Sequence, residues 1–83
     1  MKYAMYNVVW YDGVDAYVTK FVLPENEREA SKDIIAWREK VGWDGEVLKL
    51  DKLYEMSLKN IVALSDRSSA DMHIFKHFEE MYF

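Results

Sequence analysis

The segment Lys2–Leu23, KYAMYNVVWYDGVDAYVTKFVL, carries the strongest structural signal in this sequence. Two runs rich in Val, Tyr, Phe and Trp flank the dipeptide Asp12-Gly13. Asp-Gly between two such runs is the strongest short-range signal for a β-hairpin, because a type I′ turn needs positive φ at both central residues. The sequence therefore predicts an antiparallel hairpin with a two-residue loop, in which Val9 pairs with Ala16.

Both faces of this predicted hairpin are largely apolar. Successive side chains of a strand point to opposite faces, so one face carries Tyr3, Met5, Val9, Tyr11, Val14, Ala16, Val18 and Val22. The other carries Ala4, Tyr6, Val8, Trp10, Tyr17, Phe21 and Leu23. A sheet with one solvated face would alternate apolar and polar residues. We therefore expect either that helices cover both faces or that a partner covers one.

A helix is predicted over Glu27–Val41. Asn26 is the expected N-cap, and Glu29 three residues later completes a capping box. The spacing of one helical face is kept by Ala30, Ile34, Trp37 and Val41. Gly42 is expected to end the helix as its C′ residue.

The rest of the chain predicts a further strand and a C-terminal helix. Asp44-Gly45 makes a second turn, and Glu46–Leu50 reads as a short strand. Residues 50–64 fit a helix, whereas Asn60–Leu64 also reads as a strand, and we favour the strand. Ser68 caps the last helix, whose apolar row consists of Ile74, Phe78 and Met81.

The predicted order is β-β-α-β-(β or α)-α. It describes an α+β fold in which two helices pack on a small antiparallel sheet that begins with the hairpin. The 83 residues suffice for one domain, 1–83, and are too few for two.

Composition excludes several classes of function. Asp and Glu number 15 against 11 Lys and Arg, so a protein partner is expected and direct nucleic-acid binding is not. The absence of Cys excludes disulfides, thiolate zinc sites and a Cys nucleophile. With no membrane-length apolar run and no signal peptide, we expect a cytoplasmic protein that binds no membrane.

No motif for catalysis or for a cofactor appears. The three Gly residues do not fit a phosphate-binding loop, and no Ser lies in a nucleophile elbow. His73, His77 and Glu80 would share one helical face and could meet a divalent ion. The alternative is two surface histidines beside a core row, and we prefer it. The expectation is a protein that is not an enzyme and carries no cofactor or metal.

Thirteen aromatic residues raise the prospect of an interface, because Tyr and Trp dominate binding hot spots. Phe21, Ile34, Trp37 and Phe78 are expected in the core. Trp10 and Trp43 lie near turns and are expected to be exposed. The predicted protein-binding residues are exposed aromatics rimmed by acids: Tyr3, Trp10, Tyr11, Asp12, Asp15, Trp43, Asp44 and Glu46.

The layout resembles that of short accessory proteins from phages and other mobile elements, including anti-CRISPR and anti-restriction inhibitors. The resemblance lies in the compact hairpin, the helix beginning PENEREA at residues 24–30, the acidic balance and the lack of a catalytic set. It implies a small viral inhibitor that occludes a surface of a nucleic-acid-processing enzyme, and it assigns no site residues. The alternative function is a self-associating structural protein that forms a homodimer through the hairpin or the aromatic face.

Overall fold

Three strands and three α-helices make up residues 2–83, the part of the chain that the computed structural model describes. In chain order the elements are β1 (Tyr3–Tyr11), β2 (Ala16–Pro24), α1 (Glu27–Val41), β3 (Glu46–Met56), α2 (Leu58–Ala63) and α3 (Ser69–Tyr82), with a 3-10 turn at Leu64–Asp66. The strands form one antiparallel sheet in the order β2-β1-β3. The predicted α+β fold is confirmed.

The hairpin turn lies one residue later than predicted. Within residues 2–83 only glycines have positive φ, so Asp12 does not occupy a type I′ position. Its carboxylate instead accepts hydrogen bonds from the backbone N–H groups of Val14 and Asp15, both at 2.8 Å. Gly13, at φ 100°, becomes the first central residue, which is the pattern of a type II′ turn. Consequently Val9 pairs with Val18 rather than with Ala16.

Helices cover both faces of the hairpin at the end far from the turn. On one face, α1 packs on β1 and β2 in a cluster of Ala4, Tyr6, Val8, Trp10, Phe21, Leu23, Ala30 and Ile34. On the other, the C-terminal helices pack in a cluster of Met5, Val22, Ile61, Leu64, Ile74 and Phe78. Of the two expected arrangements, coverage of both hairpin faces by helices is therefore the one found at the end far from the turn. Towards the turn, residues 16–20 of β2 are exposed.

The segment after Leu50 differs from the prediction in two ways. β3 continues to Met56, because β1 offers a partner along its whole length and two register shifts absorb the extra residues. The predicted strand Asn60–Leu64 is wrong, since its first residues belong to α2. Ser57 caps that helix by accepting the backbone N–H of Asn60 at 3.2 Å. The helical turn directs Ile61 and Leu64 onto the sheet together.

α1 begins and ends where the sequence predicts. The Asn26 side chain accepts the backbone N–H groups of Arg28 and Glu29. Gly42 has φ 72°, and the backbone N–H of Trp43 reaches the Arg38 carbonyl at 3.0 Å, as in a Schellman motif. This ending fixes the direction in which Trp43 leaves the helix.

No helix within residues 2–83 combines the length and the apolar character needed to cross a bilayer.

Candidate functional site

An aromatic groove of about 320 Å³ opens on the α1 face of the sheet, at the edge formed by β2. All three tryptophans of the sequence line it. The lining residues, which define what we call the aromatic groove, are Trp10, Tyr17, Val18, Thr19, Phe21, Trp37, Trp43 and His77. Strands β1 and β2, helices α1 and α3, and the segment after α1 each contribute side chains to one site.

Local structure brings these rings together. The hairpin register places Trp10 directly opposite Tyr17. The C-terminus of α1 delivers Trp43, which makes edge-to-face contacts with both of them at centroid distances of 6.4 Å. Gly45 lies against the indole of Trp43, and a Cβ at this position would overlap that ring. The glycine therefore allows Trp43 to lie back over its own loop.

The groove has a buried floor and an exposed rim. Trp10 is only 2% exposed, whereas Tyr17 and Trp43 are 42% and 44% exposed. Trp37 stands at 50° to Trp10 and packs edge-on against Phe21 at 5.0 Å. Because the rings meet at steep angles, they enclose the space from several sides instead of forming one flat stack.

Two residues that line the groove each carry a polar atom with no hydrogen-bond partner among residues 2–83. These atoms are Nε1 of Trp37 and Nδ1 of His77, both buried. His77 Nδ1 lies 3.9 Å from the Glu80 carboxylate, which is too far for a hydrogen bond. By contrast, Nε1 of Trp10 donates to the Thr19 hydroxyl at 2.7 Å. Trp37 also lines a separate depression between α1 and α3 that Glu80 borders, so these two buried atoms are not assigned to the aromatic groove.

Burial lowers the pKa of His77, and the opposing attraction of Glu80 is the smaller effect. The ring packs against Phe21 and Trp37 at centroid distances of 4.9 and 5.1 Å. Since the ordinary pKa of His is about 6.5, His77 is neutral at pH 7. The wall of the groove that α3 contributes is therefore uncharged.

The exposed edge of β2 runs beside the groove. Two backbone bonds mark the hydrogen-bonded pairs of the hairpin, Asp12 N–H to Asp15 C=O at 3.2 Å and Glu25 N–H to Lys2 C=O at 2.9 Å. Bonded and non-bonded pairs alternate in an antiparallel ladder. The residues between bonded pairs therefore direct their N–H and C=O groups away from β1, and in the exposed part of β2 these are Ala16, Val18 and Lys20.

The structure places Tyr3 at the core, Trp10 and Trp43 in the groove, and Tyr11 outside both. Tyr3 belongs to the core, with its ring 5.1 Å from Phe78. The expected exposure of Trp10 is wrong, because β2, α1 and the loop after α1 all cover it. Trp43 is exposed as expected and forms the rim. Tyr11 is also exposed, and its hydroxyl donates to the Gly13 carbonyl at 2.9 Å.

The predicted acidic residues gather at the turn end of the sheet. The carboxylate of Asp12 stabilises the turn and also accepts the Tyr17 hydroxyl at 2.7 Å. These hydrogen bonds lower the pKa of Asp12. Asp15 and Asp44 are exposed, and so is Glu46, which pairs with Tyr11 in the sheet. Only Asp12 has a contact to a groove residue that the structure defines.

The sequence predicts only Trp10 and Trp43 among the eight groove residues and misses the other six. Phe21 is expected in the core and is buried there, and Trp37 is also expected in the core. His77 enters the sequence analysis only as a metal ligand, and Tyr17, Val18 and Thr19 are not singled out. The missing signal is the cross-strand pair of Trp10 and Tyr17, which needs the correct turn.

The two histidines contact each other at a centroid distance of 5.3 Å. Across residues 2–83, no three His, Cys, Asp or Glu side chains converge in a way that could hold a metal ion.

Comparison of the chain with protein-family models, with curated proteins and with solved structures found no match.

Proposed function

We propose that this chain is a protein-binding module that holds an extended segment of its partner along β2. The observation that carries the proposal is the position of an unpaired strand edge directly beside the aromatic groove. An added strand pairs its backbone with such an edge, while its alternate side chains enter adjacent pockets. The edge would supply affinity and the groove would supply selectivity.

The length of the site is limited by α3. This helix contacts β2 and buries its last residues, including Val22, so that only residues 16–20 remain open. Five residues of strand span about 17 Å. A bound segment would therefore be short, and one side chain on the α1 side would lie over the groove.

The exposed rim of the groove suits such a segment. Tyr17 and Trp43 at the rim offer the large, rigid contact area that is typical of binding hot spots. The aromatic rim of the site therefore favours a peptide.

Charge favours a basic segment. The chain carries a net charge of −4, and Asp15, Asp44 and Glu46 lie exposed at the turn end. Complementary charge speeds association and selects partners. A nucleic-acid-processing enzyme has basic surfaces of this kind, so the more specific form of the proposal is an inhibitor that occludes such a surface.

A panel of peptides selected from a random library tests the proposal. We expect selected peptides to be extended and basic, and to lose binding to Val18→Pro, because that change removes an N–H directed at the partner and leaves the bonds to β1 intact. Trp43→Ala should weaken the binding of the same peptides. Leu48→Ala, at an exposed apolar position of β3, is the matched control. Selected peptides that bind Val18→Pro as tightly as the unchanged protein would contradict the proposal.

A second candidate function is self-association through the same edge. It is favoured by the exposure of Val18, which is 62% exposed on a strand whose outer backbone groups have no partner among residues 2–83. Two copies of β2 could pair antiparallel about this residue in a symmetric dimer. Sedimentation equilibrium distinguishes the candidates, since a homodimer has twice the 9.9 kDa mass and should dissociate in Val18→Pro. A monomer at high concentration would exclude this alternative.

A further inference from the structure

We infer that the side chain entering the aromatic groove is a cation, an Arg guanidinium or a Lys ammonium with or without methyl groups. This inference rests on the proposed function and names the chemistry that the groove would recognise. A cation is attracted to the face of an aromatic ring, most strongly to Trp, when it lies within about 6 Å of the ring centroid.

The arrangement of the rings supports a cation. Trp10 stands at 79° to Trp43 and at 50° to Trp37, and Tyr17 stands at 69° to Trp43. The two exposed rings, Tyr17 and Trp43, meet at a steep angle and border the groove from different directions. A compact cation placed between them can approach both rings at once, whereas a flat aromatic ligand would stack on only one.

The charges around the groove support the same conclusion. None of the residues that line it is Lys or Arg. Arg38 lies nearby in sequence, but its guanidinium donates to the Gly45 carbonyl at 3.3 Å and does not line the groove. Lys76 lines a separate depression on α3. A bound cation would meet no fixed positive charge in the lining.

Asp12 adds an anion at the rim. Its carboxylate accepts the hydroxyl of Tyr17 at 2.7 Å, so a negative charge is fixed to one wall of the groove. Asp12 is exposed, so water screens its attraction for a cation over the Tyr17 ring and the effect is modest. A neutral side chain would lack this charge–charge attraction.

Titration with a small cation tests the inference directly. The probe is tetramethylammonium chloride, and neopentyl alcohol is its neutral counterpart of similar shape. The indole N–H signals of the three tryptophans are followed by NMR, with sodium chloride as the control for ionic strength. We expect saturable shifts of the Trp43 and Trp37 signals with tetramethylammonium, and at least fivefold weaker binding of the alcohol, for a difference of about 1 kcal/mol. Trp43→Ala should weaken the binding of tetramethylammonium by a similar factor, whereas Leu48→Ala should leave it unchanged.

Three outcomes would overturn the inference. They are equal or tighter binding of the alcohol, cation binding that Trp43→Ala leaves unchanged, and no shift with either probe. Failure here is distinguishable from failure of the proposed function. Peptides that lose binding to Val18→Pro but place a neutral residue over the groove would refute recognition of a cation and leave the proposed binding module intact. Peptides that bind Val18→Pro as tightly as the unchanged protein would refute the binding module itself.

Discussion

Trp10→Ala and Trp43→Ala should separate the stability of the fold from the binding surface. Both tryptophans line the same groove, and their rings are in contact. Trp10 is 2% exposed and Trp43 is 44% exposed. We therefore expect Trp10→Ala mainly to lower the free energy of unfolding, and Trp43→Ala mainly to weaken the binding of peptides to the groove.

The magnitudes follow from burial. Replacing a fully buried Trp by Ala costs about 3–5 kcal/mol, since it leaves a cavity. Trp43 buries little more than half of its surface and leaves an open site that water fills, so its loss should cost about 1–2 kcal/mol. A chain of this length has a free energy of unfolding of about 4–12 kcal/mol. Trp10→Ala thus removes a large part of the stability, and Trp43→Ala only a small part.

Urea denaturation followed by far-ultraviolet circular dichroism measures both values, and thermal melts check them. At about 4–8 °C per kcal/mol, the melting temperature should fall by about 12 °C or more for Trp10→Ala and by about 4–16 °C for Trp43→Ala. Equal losses in the two variants would refute the reasoning, because they would mean that the burial difference does not reflect the solution structure. A larger loss of stability for Trp43→Ala than for Trp10→Ala would also refute the division of the groove into a buried floor and an exposed rim.

Two further predictions concern α3. Burial lowers the pKa of His77, so the unfolded chain binds the proton more readily, and this part of the stability should be present above pH 6.5 and be lost as the pH falls below that value. Melting curves of His77→Gln should lack this part of the pH dependence, while the exposed-site control His73→Gln should keep it. Tyr82 donates to the Asp33 carboxylate at 2.6 Å, and Tyr82→Phe should cost about 1.5 kcal/mol, the lower end for a hydrogen bond to a charged group. A double-mutant cycle with Asp33→Asn measures the coupling, and a value near zero would contradict a role for this bond in holding α3 against α1.

Most of the fold was predictable because it depends on local signals. Asn26 and Gly42 each satisfy backbone groups that any helix leaves free, so the bounds of α1 could be read from residue types alone. Strand alternation likewise assigned Tyr6 and Phe21 to one face and Met5 to the other.

The parts that were not predictable depend on contacts between distant residues. Ile61 and Leu64 suit a strand or a helix, and the choice is made by their packing against the sheet. The burial of Trp10 depends on Trp37 and Trp43, which arrive from α1 and the loop after it. Proximity to a turn in the sequence carries no information about these neighbours.

The candidate site shows why a small error in register matters more for function than for fold. The predicted pairing places Trp10 opposite Asp15, and the observed pairing places it opposite Tyr17. A shift of two residues returns every side chain to the same face, so the hydrophobic pattern is equally well satisfied in both registers. In the observed register the Asp12 carboxylate accepts two backbone N–H groups and so stabilises this turn. The same carboxylate accepts the Tyr17 hydroxyl, so the residue that stabilises the turn also holds one wall of the groove.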